Sequence, residues 1–447
     1  MHETGDRTPT ARPVPEDAEL RGAPGAGPWL RWHLWCSVVL CFGVTLPTTA
    51  MELSLIPLGA VCAVGLQHTV RGWAGLVREP VAVWGAGFAA WVVLGLAWAG
   101  DPRQGVDEAW TLRWLLPIVL VRASVARHRG LLVLAVLAGF ACGHVVQLVD
   151  LWGLRLGGPA WAGLSSSPVR ISGWWDAAVA GTALTAAAGL ALAGVLCARG
   201  RWRWIGGVSL GAGLVGLLLT GSRGGWLATA ALLGVVGVWK IATAPKQWRG
   251  RVLLGAGGAA AALAGAVVLA WPVVGPRLDE AAAEVTAAVR EGDYASSTGA
   301  RILMKELAVE VWLDRPLLGA GTGGYGAAAR EAAAARGLDE GVVAAHVHDH
   351  AHGSALHLLA SNGVLGLVLG AGLMGSGLWT CWRERRRRSG FGHGPGVALL
   401  GLVLVTPFDT LHVSAHAASV TGVVLALCQR GLRPAGGGSG SAIGGGA

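Results

Sequence analysis

Three short segments of the chain carry side chains suited to chemistry. Four histidines alternate through His346-Val347-His348-Asp349-His350-Ala351-His352-Gly353. An unperturbed imidazole titrates near ~6.5, so it can take a proton from a hydroxyl close to neutral pH. His352, with His350 in support, is the candidate general base. Zinc binding by the tract is the competing reading, although a spacing of two gathers ligands only where the backbone is extended. The second segment is Thr220-Gly221-Ser222-Arg223-Gly224-Gly225-Trp226. The planar, permanently charged guanidinium of Arg223 suits a phosphate or pyrophosphate, and the flanking Ser222 and glycines let a bulky anion come close. Snorkelling at a membrane interface is the alternative. In the third, Arg301 opens a helical stretch that runs to Trp312 and then to the Gly-rich Pro316–Tyr325. Such glycines either turn backbone N–H groups toward an anion or simply make turns.

The elements that must hold these segments are read from composition. Of 447 residues, 53% are hydrophobic and 14% charged, which leaves too little polar surface to cover a soluble globule. The expected class is an all-α polytopic membrane protein. About 20 apolar helical residues cross a bilayer, and about twelve transmembrane helices are expected. They lie near 33–50, 52–68, 80–99, 107–123, 130–152, 176–197, 205–219, 224–241, 252–272, 354–380, 396–410 and 413–429. Arg113 and Pro117 interrupt the fourth. Residues 1–32 are polar and Pro-rich, without the apolar core of a signal peptide, and are expected as a disordered cytoplasmic start. The Gly-rich stretch 430–447 is expected as a disordered tail.

The net charge of +9 falls in short clusters between apolar runs rather than along one face, which argues against nucleic acid. Arg71 and Arg78, Arg122 to Arg129, Arg199 to Arg203, Lys246 to Arg251 and Arg385 to Arg388 occupy alternate connections, placing both ends in the cytoplasm. Between the spans 33–272 and 354–429, one large helical loop, 273–353, then faces outward. It holds twelve acidic against seven basic residues, so a cation serving chemistry there has to be placed among carboxylates. Leu303, Leu307 and Val311 recur at helical spacing, and an amphipathic helix over the membrane surface is expected. The seven cysteines avoid the outward loops, and no disulfide framework is expected.

Taken together, the three segments resemble the O-antigen ligase family, with its related polysaccharide polymerases. Ser222-Arg223-Gly224 is similar to the family motif that ends a span. Arg301 to Trp312 with Pro316 to Gly321 is similar to its periplasmic-loop elements. His350-Ala351-His352-Gly353, ahead of Gly363-Val364-Leu365-Gly366, is similar to its His-x-His motif, with Gly353 where the family carries an amide or hydroxyl residue. Arg170 in Arg170-Ile171-Ser172-Gly173-Trp174-Trp175-Asp176 looks like a further family segment that starts with arginine.

The resemblance implies a glycosyltransferase of the bacterial inner membrane with its active site toward the periplasm. The donor would be a glycan on undecaprenyl pyrophosphate and the acceptor a membrane glycolipid such as lipid A-core. Arg223, Arg301 and Arg170 would hold the pyrophosphate, and His352 would deprotonate the acceptor in an inverting displacement, with no cofactor and no metal ligand assigned. A polymerase of the same superfamily remains open. So does a transporter, for which His144, Asp150, Asp409 and His412 are the ionisable residues to consider.

Overall fold

In a computed structural model the described residues are 28–430 apart from 74, 156–169, 248 and most of 251–270. The stretch 1–27, most of the ninth expected span and the tail from 431 lie outside them. The fold is helical throughout. The first half comprises α1 (Pro28–Gly43), α2 (Thr48–Leu53), α3 (Leu55–Val64), α4 (Leu66–Trp73), α5 (Pro80–Leu94), α6 (Pro102–Trp110), α7 (Leu116–Leu120) and α8 (Arg122–Arg155). It is followed by α9 (Ala177–Cys197), α10 (Arg201–Thr220), α11 (Arg223–Thr243) and α12 (Trp271–Thr286). Beyond these lie α13 (Ser297–Asp314), α14 (Tyr325–Ala335), α15 (Glu340–His346), α16 (Ser354–Glu384), α17 (Gly394–Val405) and α18 (Ala415–Cys428).

Six helices among the described residues are long and apolar enough to cross a membrane: Pro80–Trp98, α8, α9, α10, α11 and α16. With a chain that is 53% hydrophobic and only 14% charged, they indicate a multi-pass membrane protein. Shorter apolar helices cover Thr48–Val64, Gly390–Val405 and α18. The second expected span is broken at Ser54 and Gly65, and the fourth is not one helix. Pro117 lacks the amide needed to continue a helix and instead sits in the first turn of α7. Arg113, within the same stretch, donates to Glu52 at 3.0 Å and stacks over Trp110 and Trp114. All seven cysteines are free.

The abundance of small residues has a packing role in α9, which is buried along most of its length between α10, α11 and α17. A side chain at Gly189 would meet the Ala398 backbone at 2.6 Å, and one at Gly181 would meet Ser222. Such backbone-to-backbone approach is how membrane helices gain van der Waals contact without a hydrophobic driving force.

The loop 273–353 has a core of its own. Leu303, Leu307 and Val311 on α13 are buried against Tyr325, Ala329 and Ala333 on α14, with Val347, Ala351 and Ala360. The apolar stripe expected to face the membrane surface therefore packs against protein. Tyr325 adds a hydrogen bond from its hydroxyl to the Met304 carbonyl at 2.6 Å.

Candidate active site

Arg223 is the first residue of α11, and its position follows from local chemistry. Gly221 ends α10 in a left-handed conformation (φ 63°), and the Ser222 hydroxyl accepts the Gly225 amide to start α11. A cation at a helix N-terminus opposes the helix dipole. Two carboxylates from α12 offset this: Arg223 donates to Glu280 at 2.7 Å and to Glu284 at 2.8 Å, and it also donates to the Thr298 hydroxyl at 2.9 Å. Arg277 shares Glu280 at 2.6 Å.

Arg170, Ser222, Arg223, Arg277 and Arg301 line one polar pocket with Thr182, Ser297 and Asp409. The structure thus gathers Arg170, Ser222, Arg223 and Arg301, drawn from three separate parts of the sequence. Neither Arg170 nor Arg301 forms a hydrogen bond or ion pair with a carboxylate among the described residues. The Arg170 Nε is buried without a partner. Burial, followed by the charges of Arg277 and Arg301, presses the Arg170 pKa downward. Asp409 accepts from the Thr182 hydroxyl at 2.5 Å and the Thr410 amide at 2.8 Å, and burial raises its pKa. The two cations best placed to meet an incoming anion are therefore Arg170 and Arg301, while Arg223 is already clamped.

The histidine tract lies near enough to Arg301 for its charge to act on both His350 and His352. Val347 and Ala351 are buried in the loop core, while His346, His348 and His350 are more exposed than either. Asp349 ties the tract to α14 through Arg330 at 3.3 Å. His352 has φ 47°, the one positive value among the described non-glycine residues. Its ring centroid lies 4.3 Å from that of His350 and 6.3 Å from that of His348. Its Nδ1 is buried without a hydrogen-bond partner, as expected where Gly353 supplies no side-chain amide. Burial, then His350 and Arg301, push the His352 pKa down to about 3; burial and the neighbouring His357 and His348 take His350 to about 4. Just after the tract, Ser354 receives the 406–409 turn: its amide donates to the Thr406 carbonyl at 2.8 Å and its hydroxyl to that of Asp409 at 2.8 Å. The turn that carries Asp409 into the arginine pocket thus also anchors the histidines.

Trp312 is separated from this site. It stands eleven residues after Arg301 on α13, roughly 16 Å along a helix, and is absent from the pocket lining. The Gly-rich turn after it is not an anion cradle either. Ala320 and Gly321 donate to the carbonyls of Ala360 and Ser361 at 2.8 Å, Thr322 donates to that of Gly95 at 3.2 Å, and Gly323 donates to Glu108 at 3.0 Å. Its amides are committed to docking the loop onto α16 and the end of α5. Arg277, Glu280 and Glu284 were not singled out from sequence, although their spacing on one helix face, Arg277 to Glu280 to Glu284, is a local signal that would have found them.

Four arginines thus surround one pocket, with the charge of Arg301 reaching a pair of imidazoles. Residues 208–371 match the O-antigen ligase family. Over that stretch the chain is similar to the O-antigen ligase family. No curated protein matches the chain. The matched O-antigen ligase stretch begins within α10 and ends within α16, so it contains Ser222, Arg223, Arg277, Arg301, Trp312, His350 and His352. Arg170 and Asp409 complete the pocket from outside it.

Proposed function

We propose that this chain transfers a glycan from undecaprenyl pyrophosphate to a membrane glycolipid acceptor, at a site facing the periplasm of a bacterial inner membrane. The observation that carries the reading is the shared pocket of Arg170, Arg223, Arg277 and Arg301, next to His352. A departing pyrophosphate accumulates negative charge, and fixed guanidinium groups in a partly desolvated pocket stabilise that charge without reorganising. They perform the electrostatic work that a divalent ion performs in other phosphoryl sites, so the chemical step needs none. His352 takes the proton of the acceptor hydroxyl as the hydroxyl attacks the anomeric carbon. The carbon–oxygen bond to the diphosphate breaks on the opposite face, and the product is inverted.

An imidazole held near pKa 3 is neutral at working pH and ready to accept a proton, but it is a weak base. The bound diphosphate corrects this, because its charge offsets Arg301 and raises the affinity of His352 for a proton. The base therefore strengthens when donor is present. An apolar cavity of about 360 Å³, lined by Phe88, Leu115, Leu358, Met374 and Leu411, flanks the same 406–412 turn and suits the lipid part of a substrate.

The test is a reconstituted transfer assay with a lipid-diphosphate-linked glycan and a glycolipid acceptor, without added magnesium or manganese. Full transfer by the wild type and its loss in Arg301→Ala and His352→Gln support the reading. Equal use of a lipid-monophosphate donor, or a need for added magnesium, would count against it.

A further inference from the structure

A second cluster lies outside the arginine pocket. Glu108 on α6, His357 in the first turn of α16 and His412 in the connection before α18 bring one ligand atom each within 4.8 Å of the others. Glu108 and His357 are 3% and 0% exposed. Glu108 Oε1 lies 3.3 Å from His357 Nε2 and 3.8 Å from His412 Nε2. The His412 Nε2 is buried without a hydrogen-bond partner. The other carboxylate oxygen, Oε2, is fixed by the Gly323 amide at 3.0 Å, and the carbonyl of His412 by the Thr111 hydroxyl at 2.5 Å.

We infer that Glu108, His357 and His412 form a structural binding site for a divalent transition-metal ion, zinc by ligand chemistry. Three Lewis bases turned toward one point in a buried site need a shared cation or a proton. Bonds of about 2.0–2.1 Å around a tetrahedral zinc set the ligand atoms about 3.3 Å apart, close to the two spacings from Glu108 Oε1. Two imidazole nitrogens and one carboxylate favour zinc over magnesium or calcium, which prefer oxygen alone.

The ion joins three chain segments that meet nowhere in sequence. His357 follows His352 by five residues, Glu108 holds the Gly-rich turn through Gly323, and His412 closes the turn that carries Asp409. The site therefore fixes the histidine tract relative to the arginine pocket. None of its three ligands lines that pocket, so the ion takes no part at the diphosphate. The proposal stands independently of the transfer reaction.

Full-length protein carrying an affinity tag without histidines, purified in detergent from zinc-supplemented cells, is assayed by elemental analysis. About one zinc per chain is expected for wild type, for Arg170→Ala and for the pair His346→Gln/His348→Gln. His357→Gln and His412→Gln, checked for a monodisperse helical fold, should hold less than a tenth of that. Because a buried substitution can fail to fold, wild-type protein stripped with chelator is also titrated with zinc alone, and its Tm should rise with saturation. Two results would overturn the site: stripped wild type that neither rebinds zinc nor gains Tm, which leaves a proton shared between Glu108 and His357, or zinc lost from the His346/His348 pair while His357→Gln retains it.

Discussion

His352 and His350 face each other with ring centroids 4.3 Å apart, and both feel the charge of Arg301. Their protonation is therefore disfavoured in the folded protein, with consequences for pH.

The unfolded chain binds protons at these imidazoles below about 6.5, whereas the folded chain refuses them until about 4 and about 3. Between those limits the unfolded state carries more protons, so stability falls as pH drops from 6.5 and is unaffected above it. Tm measured from pH 7.5 to 4.5 should decline less steeply in His350→Gln/His352→Gln than in wild type. Equal slopes would show that the two rings titrate normally in the fold. In kinetics, the acidic limb of kcat/KM, which reports free enzyme, should lie well below pH 6.5. The limb of kcat should lie at higher pH, because bound diphosphate offsets Arg301.

Removing His352 tests the base itself. General-base help is worth about 10² to 10⁴ in rate, so His352→Gln should lower kcat by that range with donor KM little changed. Gly353→Ala is the matched control: its φ of −172° is extended, and the added carbon would meet Pro407 only at 3.4 Å. That variant should fold and transfer normally.

The arginines should divide into two classes. Arg170→Ala and Arg301→Ala remove unpaired cations, and each should cost about 10² to 10³ in kcat, the scale of one lost charge-stabilising donor. Arg223→Gln additionally leaves Glu284 without its arginine and Glu280 with Arg277 alone, so that their negative charge beside the pocket repels an anion. The triple variant Arg223→Gln/Glu280→Gln/Glu284→Gln should recover part of the loss in donor KM. A strictly additive outcome would show that the clamp has no electrostatic role.

The loop depends on close backbone contact at Gly363. Its φ is 67°, and a side chain there would lie 2.0 Å from the Leu317 carbonyl oxygen. Gly363→Ala should therefore lower the yield of monodisperse protein and its Tm by more than Gly353→Ala, with both read by size exclusion and thermal unfolding.

Ligase and polymerase separate by what accumulates in cells lacking the gene. Full-length glycan chains on the lipid carrier are expected for transfer to a glycolipid acceptor, and single lipid-linked repeats would indicate polymerisation instead. Mass analysis of extracted lipid-linked glycans reads the difference.

The amino-acid sequence alone determined what depends on composition and short spacing. Apolar runs require helices in a bilayer, since backbone groups there must be satisfied within the segment, and Pro117 marked where one run breaks. Arg223, Arg301 and His352 were legible because each sits in a short motif of distinctive residue types.

Tertiary structure decided everything that joins distant positions. That Arg170 and Arg301 have no carboxylate partner among the described residues while Arg223 is held by Glu280 and Glu284, that the Gly-rich turn spends its amides on Ala360, Ser361 and Gly95, and that Trp312 stands away from the pocket all rest on contacts between separate helices. Glu108, His357 and His412 are the extreme case: one acid and two histidines, of which only His412 drew notice in the sequence and for a different role, meet only when three segments pack together. Local pattern fixes a helix and its face, because those depend on neighbours within a few residues. Convergence of charge depends on distances that no short stretch of sequence contains.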